Sequence, residues 1–143
     1  MAHTANNVGE LLEVLWGRAQ EKAPSGPVPP SQLRALKAIE EQRSVNQRTL
    51  GDVLGIGPSS VSRLCDRLEA AGLLVRGPSA TSRREIELTL SARGAKVLEE
   101  LRLARTREVE AVLRTMEPAH LGVLSEGLEK LQQAATAHVG LWP

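Results

Sequence analysis

The amino-acid sequence predicts a mainly α (α+β) fold, and three patterns indicate this class. Apolar residues recur at helical spacing through most of the chain. One segment, Glu85 to Leu90, alternates strictly between polar and apolar residues, as a strand with one solvated face does. Two short helical segments meet at the glycine-containing corner Leu54-Gly55-Ile56-Gly57-Pro58. Together these patterns predict a helix-turn-helix, a following two-stranded hairpin and additional helices at both ends.

The first two helices are bounded by prolines. Leucine, valine and alanine recur on one face from Val8 to Ala23, and Pro24 ends this predicted helix. Four prolines between residues 24 and 30 then form a short, stiff connection. Pro30 suits the first position of a second helix, which is predicted to run to about Gln42.

The helix-turn-helix is predicted in the middle of the chain. Asn46 can cap a short helix that continues to Leu54. Gly55 can adopt the left-handed conformation that ends a helix, and Pro58 suits the start of the next one, predicted over Pro58 to Ala71. The residues of the shorter helix expected to face the core are Leu50, Val53 and Leu54.

The hairpin that follows is predicted to form a wing, and two long helices complete the chain. Leu73 to Arg76 is expected to form its first strand, and Glu85 to Leu90 its second. Ser91 can cap a helix that runs to about Met116, and the last helix opens at Pro118.

Length and composition favour one domain that associates with a second copy. A chain of 143 residues suits a single domain, and its core must be aliphatic because the chain has no Phe, no Tyr and only two Trp. The terminal helices carry more aliphatic surface than one winged domain can cover, and a two-fold partner would bury it. We therefore expect one domain over residues 1–143. Its winged-helix DNA-binding lobe spans residues 30–90, and its helical dimerisation lobe spans residues 1–23 and 91–143.

The net charge of +1 is unevenly distributed along the chain. Residues 1–42 hold four Lys/Arg against five Asp/Glu, residues 43–84 hold seven against three, and residues 85–143 hold seven against nine. A basic middle between acidic flanks is typical of a phosphate-binding module carried on acidic scaffolding helices. This distribution favours double-stranded DNA as a partner.

Other functional classes find little support. The chain starts without a secretory signal and has no run as long as a membrane span, so a cytoplasmic protein without a membrane partner is expected. The single Cys65 and three scattered histidines indicate neither a disulfide nor a metal site, and no cofactor is expected. No glycine-rich phosphate loop or nucleophile–base pair indicates an enzyme. The main alternative is a winged-helix module for protein–protein assembly without sequence-specific DNA binding.

The predicted second helix of the helix-turn-helix has two chemically different faces. At about 100° per residue, Val61, Leu64, Cys65 and Leu68 share one face. Hydroxyl and guanidinium groups on the opposite face suit the major groove, although any amphipathic helix has a polar outer face. The expected DNA-binding residues of this helix are Ser59, Ser60, Ser62, Arg63 and Arg67. Asp66 is expected to pair with Arg63 or with an arginine of the wing, or less often to accept a hydrogen bond from cytosine.

Two further groups complete the predicted interface. Arg83 and Arg84 follow turn-forming residues, where a hairpin tip can project them into the minor groove. Gln47, Arg48 and Thr49 begin the preceding helix and can reach backbone phosphate, with plain solvent exposure as the rival interpretation.

Four ordered motifs lie along the chain: Pro30-Ser31-Gln32-Leu33-Arg34-Ala35-Leu36, Gly57-Pro58-Ser59-Ser60-Val61-Ser62-Arg63-Leu64, Asp66-Arg67-Leu68-Glu69-Ala70-Ala71-Gly72-Leu73, and Arg83-Arg84 with Leu90-Ser91-Ala92-Arg93-Gly94. Their order and spacing resemble the MarR family, and the resemblance covers nearly the whole chain. It implies a homodimer with interlocked terminal helices, a pseudo-palindromic operator, frequent repression and, in many members, release by a small, often anionic aromatic effector.

Three residues need separate interpretation. Ser82 stands where the family's wing usually has an aspartate two residues before an arginine, so a looser wing is expected. Trp16 either lines an effector pocket or packs in the dimer interface. Cys65 lies on the apolar helix face, which favours a structural thiol over a redox sensor.

Overall fold

The computed structural model describes residues 1–139, so the last four residues of the predicted dimerisation lobe lie outside the described residues. Within this range it has six helices and one three-stranded antiparallel sheet, which confirms the mainly α (α+β) winged-helix class. The elements in chain order are α1 (Ala2–Lys22), α2 (Pro30–Gln42), β1 (Val45–Asn46), α3 (Gln47–Leu54), α4 (Pro58–Ala70), β2 (Leu74–Pro78), β3 (Ile86–Leu90), α5 (Ala92–Leu113) and α6 (Pro118–Val139).

The sheet contains the predicted hairpin and one strand that the sequence did not reveal. Strand β3 lies in the centre, with β2 on one side and β1 on the other. Leu88 of β3 is opposite Arg76 of β2 and Val45 of β1, and all of its side chain is buried. Because β1 has only two residues, it is too short to show an alternating pattern.

The local signals around the helix-turn-helix are confirmed. The side chain of Asn46 accepts a 2.7 Å hydrogen bond from the backbone N–H of Thr49, which is the predicted cap of α3. Gly55 ends α3 with φ +67°, in the left-handed region, and Pro58 occupies the first turn of α4. A Cβ at Gly51 would lie 2.9 Å from Cγ2 of Val61, so the two helices cross at close range because residue 51 has no side chain.

The chain forms two compact units, the first covering Met1–Thr106 and the second beginning at Arg107. In the first unit, Ala19 of α1 and Leu98 and Leu101 of α5 belong to the same buried core as the winged helix. Helix α1 and the first part of α5 therefore support the winged helix directly. Their assignment to a separate dimerisation lobe stays a prediction.

Some expected inward-facing residues are exposed. Val53 is 52% exposed, which corrects its expected core position: the inner face of α3 is centred on Leu50, Gly51 and Leu54, and Val53 lies to one side of it. Helix α1 begins at Ala2, six residues before the predicted start, and Leu15 and Ala19 are its buried residues. The large exposed apolar side chains of α1 are Val8, Leu11, Val14 and Trp16.

Candidate nucleic-acid interface

Helix α4 separates its apolar and polar faces as its sequence predicts. Gly57 precedes the helix as its N-cap, and Pro58 needs no hydrogen-bond partner for its nitrogen in the first turn. The predicted apolar face is buried: it consists of Val61, Leu64, Cys65 and Leu68. The four residues anchor the helix in the core and leave its opposite side accessible.

The polar face carries the predicted recognition residues. Ser59, Ser60, Arg63 and Arg67 are exposed, and Ser62 is half-buried. A shallow depression of about 210 Å³ lies beside this face and is lined by Ser31, Ile56, Ser60, Arg63, Leu64 and Arg67. The two arginines therefore lie on the side of α4 that adjoins the start of α2.

The other side of α4 carries carboxylates that are paired with the wing. Nη1 of Arg76, in strand β2, lies 2.8 Å from Oδ1 of Asp66 and 3.6 Å from Oε1 of Glu69. Burial opposes the charge of Arg76, but the hydrogen bond with Asp66 and both negative charges raise the pKa of its guanidinium. Asp66 was expected to pair with Arg63 or with a wing arginine, and the partner is the wing arginine Arg76.

The start of α3 lies beside the start of α4. Arg48 and Thr49 are exposed and Gln47 is half-buried. A depression of about 370 Å³ separates the two helix starts and is lined by Gln47, Arg48, Gly51, Asp52, Ile56, Pro58 and Val61. Arg48 and Thr49 are thus accessible to a ligand that approaches the N-terminal end of α4.

The wing tip is held by short-range hydrogen bonds. The backbone N–H of Ser79 donates to the carbonyl of Glu85 at 3.0 Å, and the hydroxyl of Ser79 donates to the carboxylate of Glu87 at 3.0 Å. The hydroxyl of Ser82 accepts a 3.4 Å hydrogen bond from the backbone N–H of Arg84. Ser82 therefore organises the turn through the main chain. The side chains of Arg83 and Arg84 are exposed.

The predicted DNA-binding arginines share one electrostatic property. Within residues 1–139 none of them forms an ion pair, whereas Arg76 is paired. The five unpaired arginines are Arg48, Arg63, Arg67, Arg83 and Arg84. Their charges are consequently available to an anionic partner.

A second group of cations includes Arg105, which lies against Trp16, the residue expected either to line an effector pocket or to pack in the dimer interface. The guanidinium carbon of Arg105 lies 5.2 Å from the centroid of the Trp16 ring, close enough for a cation–π interaction. Burial lowers the pKa of Lys37, and the neighbouring Arg105 and Arg102 lower it further. Burial and Arg102 likewise lower the pKa of Arg105, and within the described residues its buried Nε has no hydrogen-bond partner. Arg102 is paired with the carboxylates of Glu40 and, at 3.7 Å, Glu99, and the charges of Glu41 and Glu40 partly oppose the lowering of the Lys37 pKa.

Sequence reasoning missed this cluster, which we define as Trp16, Lys37, Arg102 and Arg105. Its members come from α1, α2 and α5, and no short motif contains more than two of them. Charge counting along the chain also missed it, because each member lies in a segment with a net negative charge. Only the packing of the three helices brings the cations together.

Two other classes of site are absent from the described residues. Residues 1–139 contain no group of three or more His, Cys, Asp or Glu side chains placed to hold a metal ion. Over the same range, no helix combines the length and the apolar composition needed to cross a membrane.

Comparison with known proteins identifies relatives for both the sequence and the fold. A sequence model of the MarR family matches residues 27–85. The HTH-type transcriptional repressor MdtR of Bacillus subtilis (strain 168) is 28% identical over 108 residues, which cover 76% of this chain and 70% of that protein.

Solved structures extend the similarity to the whole fold. The crystal structure of RV1404 from Mycobacterium tuberculosis superposes with a TM-score of 0.82 at 28% identity, covering 93% of this chain and 90% of that one. The transcriptional regulator Tm0710 from Thermotoga maritima gives the same TM-score at 21% identity, covering 98% of this chain and 99% of that one.

Proposed function

This chain belongs to the MarR family, and from that premise we propose that it is a transcriptional repressor that binds a pseudo-palindromic operator as a homodimer. In this proposal α4 enters the major groove and the wing arginines reach the adjacent minor groove. The start of α3 contacts backbone phosphate.

One observation carries this proposal: the arginines of the candidate interface are unpaired, whereas both carboxylates of α4, Asp66 and Glu69, are paired with Arg76. Arg63 and Arg67 project from α4 without an acidic partner among residues 1–139. Asp66, which lies between them in the sequence, is held by Arg76. A surface of this kind attracts phosphate and releases condensed counterions, so binding should weaken steeply as salt increases. A module for protein–protein assembly has no need for these unpaired charges.

Uncovered apolar surface supports the homodimer. Val8, Leu11 and Val14 of α1 are exposed although they recur at helical spacing. Within the second unit, α6 exposes Val123, Leu128 and Leu131. The last two line a depression of about 470 Å³ with Gln132 and Ala135. A second copy would remove such surface from water, and a two-fold axis would place two α4 helices roughly 34–36 Å apart.

The decisive experiment is selection of bound sequences from random duplex DNA with the purified full-length protein. The proposal predicts a palindrome whose half-sites are centred about one helical turn apart, and a dimer by light scattering. A monomer, or a protein that prefers no duplex even at low ionic strength, would contradict the proposal. Protein–protein assembly would then be the better hypothesis.

Release by an effector is the regulatory part of the proposal, and the Trp16 cluster supports it. An aromatic ring beside partly buried cations suits a small aromatic carboxylate, because the anion would compensate Lys37 and Arg105 while its ring packs on Trp16. Operator binding should be titrated with a panel of aromatic carboxylates, using wild type and Arg105→Gln. We expect release in wild type and at least tenfold weaker release in the variant, with equal operator affinity before ligand is added.

A further inference from the structure

Arg76 is the arginine of the basic middle segment that does not face outward with the others. We propose that Arg76 is a positioning residue for DNA recognition, which pairs with both carboxylates of α4, compensates part of their charge and fixes this helix to the wing without touching DNA. The inference rests on the proposed DNA-binding function and adds to it a residue that acts through its neighbours.

The geometry separates Arg76 from the predicted contact residues. Its side chain is 22% exposed, whereas those of Asp66 and Glu69 are 61% and 46% exposed. Nη1 is directed to both carboxylates, and Nε is buried without a hydrogen-bond partner in the described part of the chain. Arg76 therefore approaches α4 from the interior side of the sheet, with its charged end committed to protein carboxylates.

Electrostatics give this pairing a role in binding. Asp66 and Glu69 are one helical turn apart on the element proposed to enter the major groove, where unpaired carboxylates would repel phosphate. The guanidinium of Arg76 offsets this repulsion at 2.8 Å from Asp66. The same interaction removes Asp66 as a free acceptor for cytosine, so base reading by α4 is left to the hydroxyls and to Arg63 and Arg67.

The pairing also links two parts of the interface. Asp66 belongs to α4 and Arg76 to β2, whose partner strand β3 leads back to the wing tip with Arg83 and Arg84. A bridge between helix and strand fixes the angle at which the two parts meet the duplex. Pre-organisation of this kind lowers the entropy lost on binding.

A charge-rescue experiment tests the proposal. Affinity for the selected operator is measured across salt for wild type, Arg76→Gln, Asp66→Asn and the double variant. We expect Arg76→Gln to weaken binding roughly tenfold because Asp66 is unmasked. Asp66→Asn alone should stay within about twofold of wild type, and the double variant should recover to within about threefold. If the double variant binds as weakly as Arg76→Gln, or if Arg76→Gln binds like wild type, the proposal is wrong.

Two matched controls separate masking from direct contact and from general charge. Arg63→Gln removes an exposed arginine of α4 and should weaken operator binding. Adding Asp66→Asn to this variant should restore little of the lost affinity. Lys96→Gln breaks an ion pair with Glu100 on α5, outside the interface, and should leave operator affinity unchanged. Wild type that binds no duplex would defeat the proposed function, whereas wild type that binds while rescue fails would defeat only this inference.

Folding is checked by circular dichroism and thermal unfolding of each variant. If Arg76→Gln does not fold, Asp66→Asn and Arg76→Lys decide the question. The proposal expects Asp66→Asn to bind within about twofold of wild type, since it removes the repelling charge, and Arg76→Lys to bind within about threefold, since it keeps the masking charge. A loss of more than tenfold in folded Asp66→Asn would show that Asp66 itself reads DNA, and would overturn the proposal.

Discussion

The hydroxyl of Ser91 donates a 2.5 Å hydrogen bond to the carbonyl of Gly72. The same oxygen accepts a 2.9 Å bond from the backbone N–H of Gly94, and the backbone N–H of Ser91 donates to the carbonyl of Leu73. Ser91 thus caps α5 and at the same time ties the end of the wing to the turn that follows α4. These bonds of Ser91 help to fix the position of the wing relative to α4.

Replacing Ser91 by alanine should lower the free energy of unfolding by about 1–2 kcal/mol, because the cap and the bond to Gly72 are both lost. Urea unfolding at matched protein concentration measures the change. Ser125→Ala, an exposed serine of α6, is the control and should stay within about 0.5 kcal/mol of wild type. Coincident unfolding midpoints for Ser91→Ala and wild type would contradict the prediction.

Gly94→Ala should destabilise the protein by about 1–3 kcal/mol. A Cβ at this position would overlap the backbone carbonyl of Leu73, and a main-chain atom cannot rotate away as a flexible side chain can. Gly122 provides the matched control: it is also helical, but nothing lies within 4 Å of its added Cβ. Gly122→Ala should therefore stabilise the protein by about 0.5–1 kcal/mol. Thermal or urea unfolding measures both variants. If Gly94→Ala and Gly122→Ala changed the free energy of unfolding in the same direction, the prediction would be wrong.

Cys65 should be unreactive in the native protein. The side chain is fully buried, and burial raises the pKa of its thiol although Arg76 acts in the opposite direction. We expect a chromogenic thiol reagent to label Cys65 at pH 8 only after the protein is unfolded. We also expect peroxide treatment to leave operator binding intact. Native labelling at the rate of an exposed thiol would contradict this expectation.

The raised pKa of Cys65 also predicts a pH dependence of stability. The thiol's contribution to the free energy of unfolding is fully present below the pKa of the unfolded thiol, about 8.5. It is lost as pH rises towards the higher pKa of the folded state, because in this range the unfolded protein releases the proton more readily than the folded protein does. Between pH 8 and pH 10 wild type should lose more unfolding free energy than Cys65→Ala does. Parallel pH profiles for the two proteins would show that the thiol is not responsible.

Ser82→Asp should tighten operator binding. The carboxylate can still accept the backbone N–H of Arg84, as the serine hydroxyl does, and can in addition orient the guanidinium of Arg84 towards the minor groove. In an Arg84→Ala background the same change should weaken binding, since only repulsion from phosphate remains. Titration of all four proteins on one operator measures the coupling. If wild type and Ser82→Asp bound the operator with equal affinity, a carboxylate at position 82 would have no role in orienting Arg84.

Much of the winged helix followed from local signals in the sequence. The start of α2 at Pro30, the Asn46 cap, the left-handed Gly55 and the Ser91 cap were all predicted and confirmed. Each of these signals depends on residues within about one turn, whose backbone preferences act before distant segments meet. The division of α4 into apolar and polar faces was predictable for the same reason.

Other features depended on which segments meet in three dimensions. The pairing of β1 with β3, the choice of Arg76 as the partner of Asp66, and the cluster of Trp16 with Lys37, Arg102 and Arg105 each join distant parts of the chain. The exposure of Val53 likewise follows from where α3 packs, since helical spacing gives a face but not its direction. The sequence by itself therefore determined the helix starts, caps and turns, which depend on short-range backbone preferences. Charge pairing and burial were determined only by the tertiary structure, because they require contact between separate helices and strands.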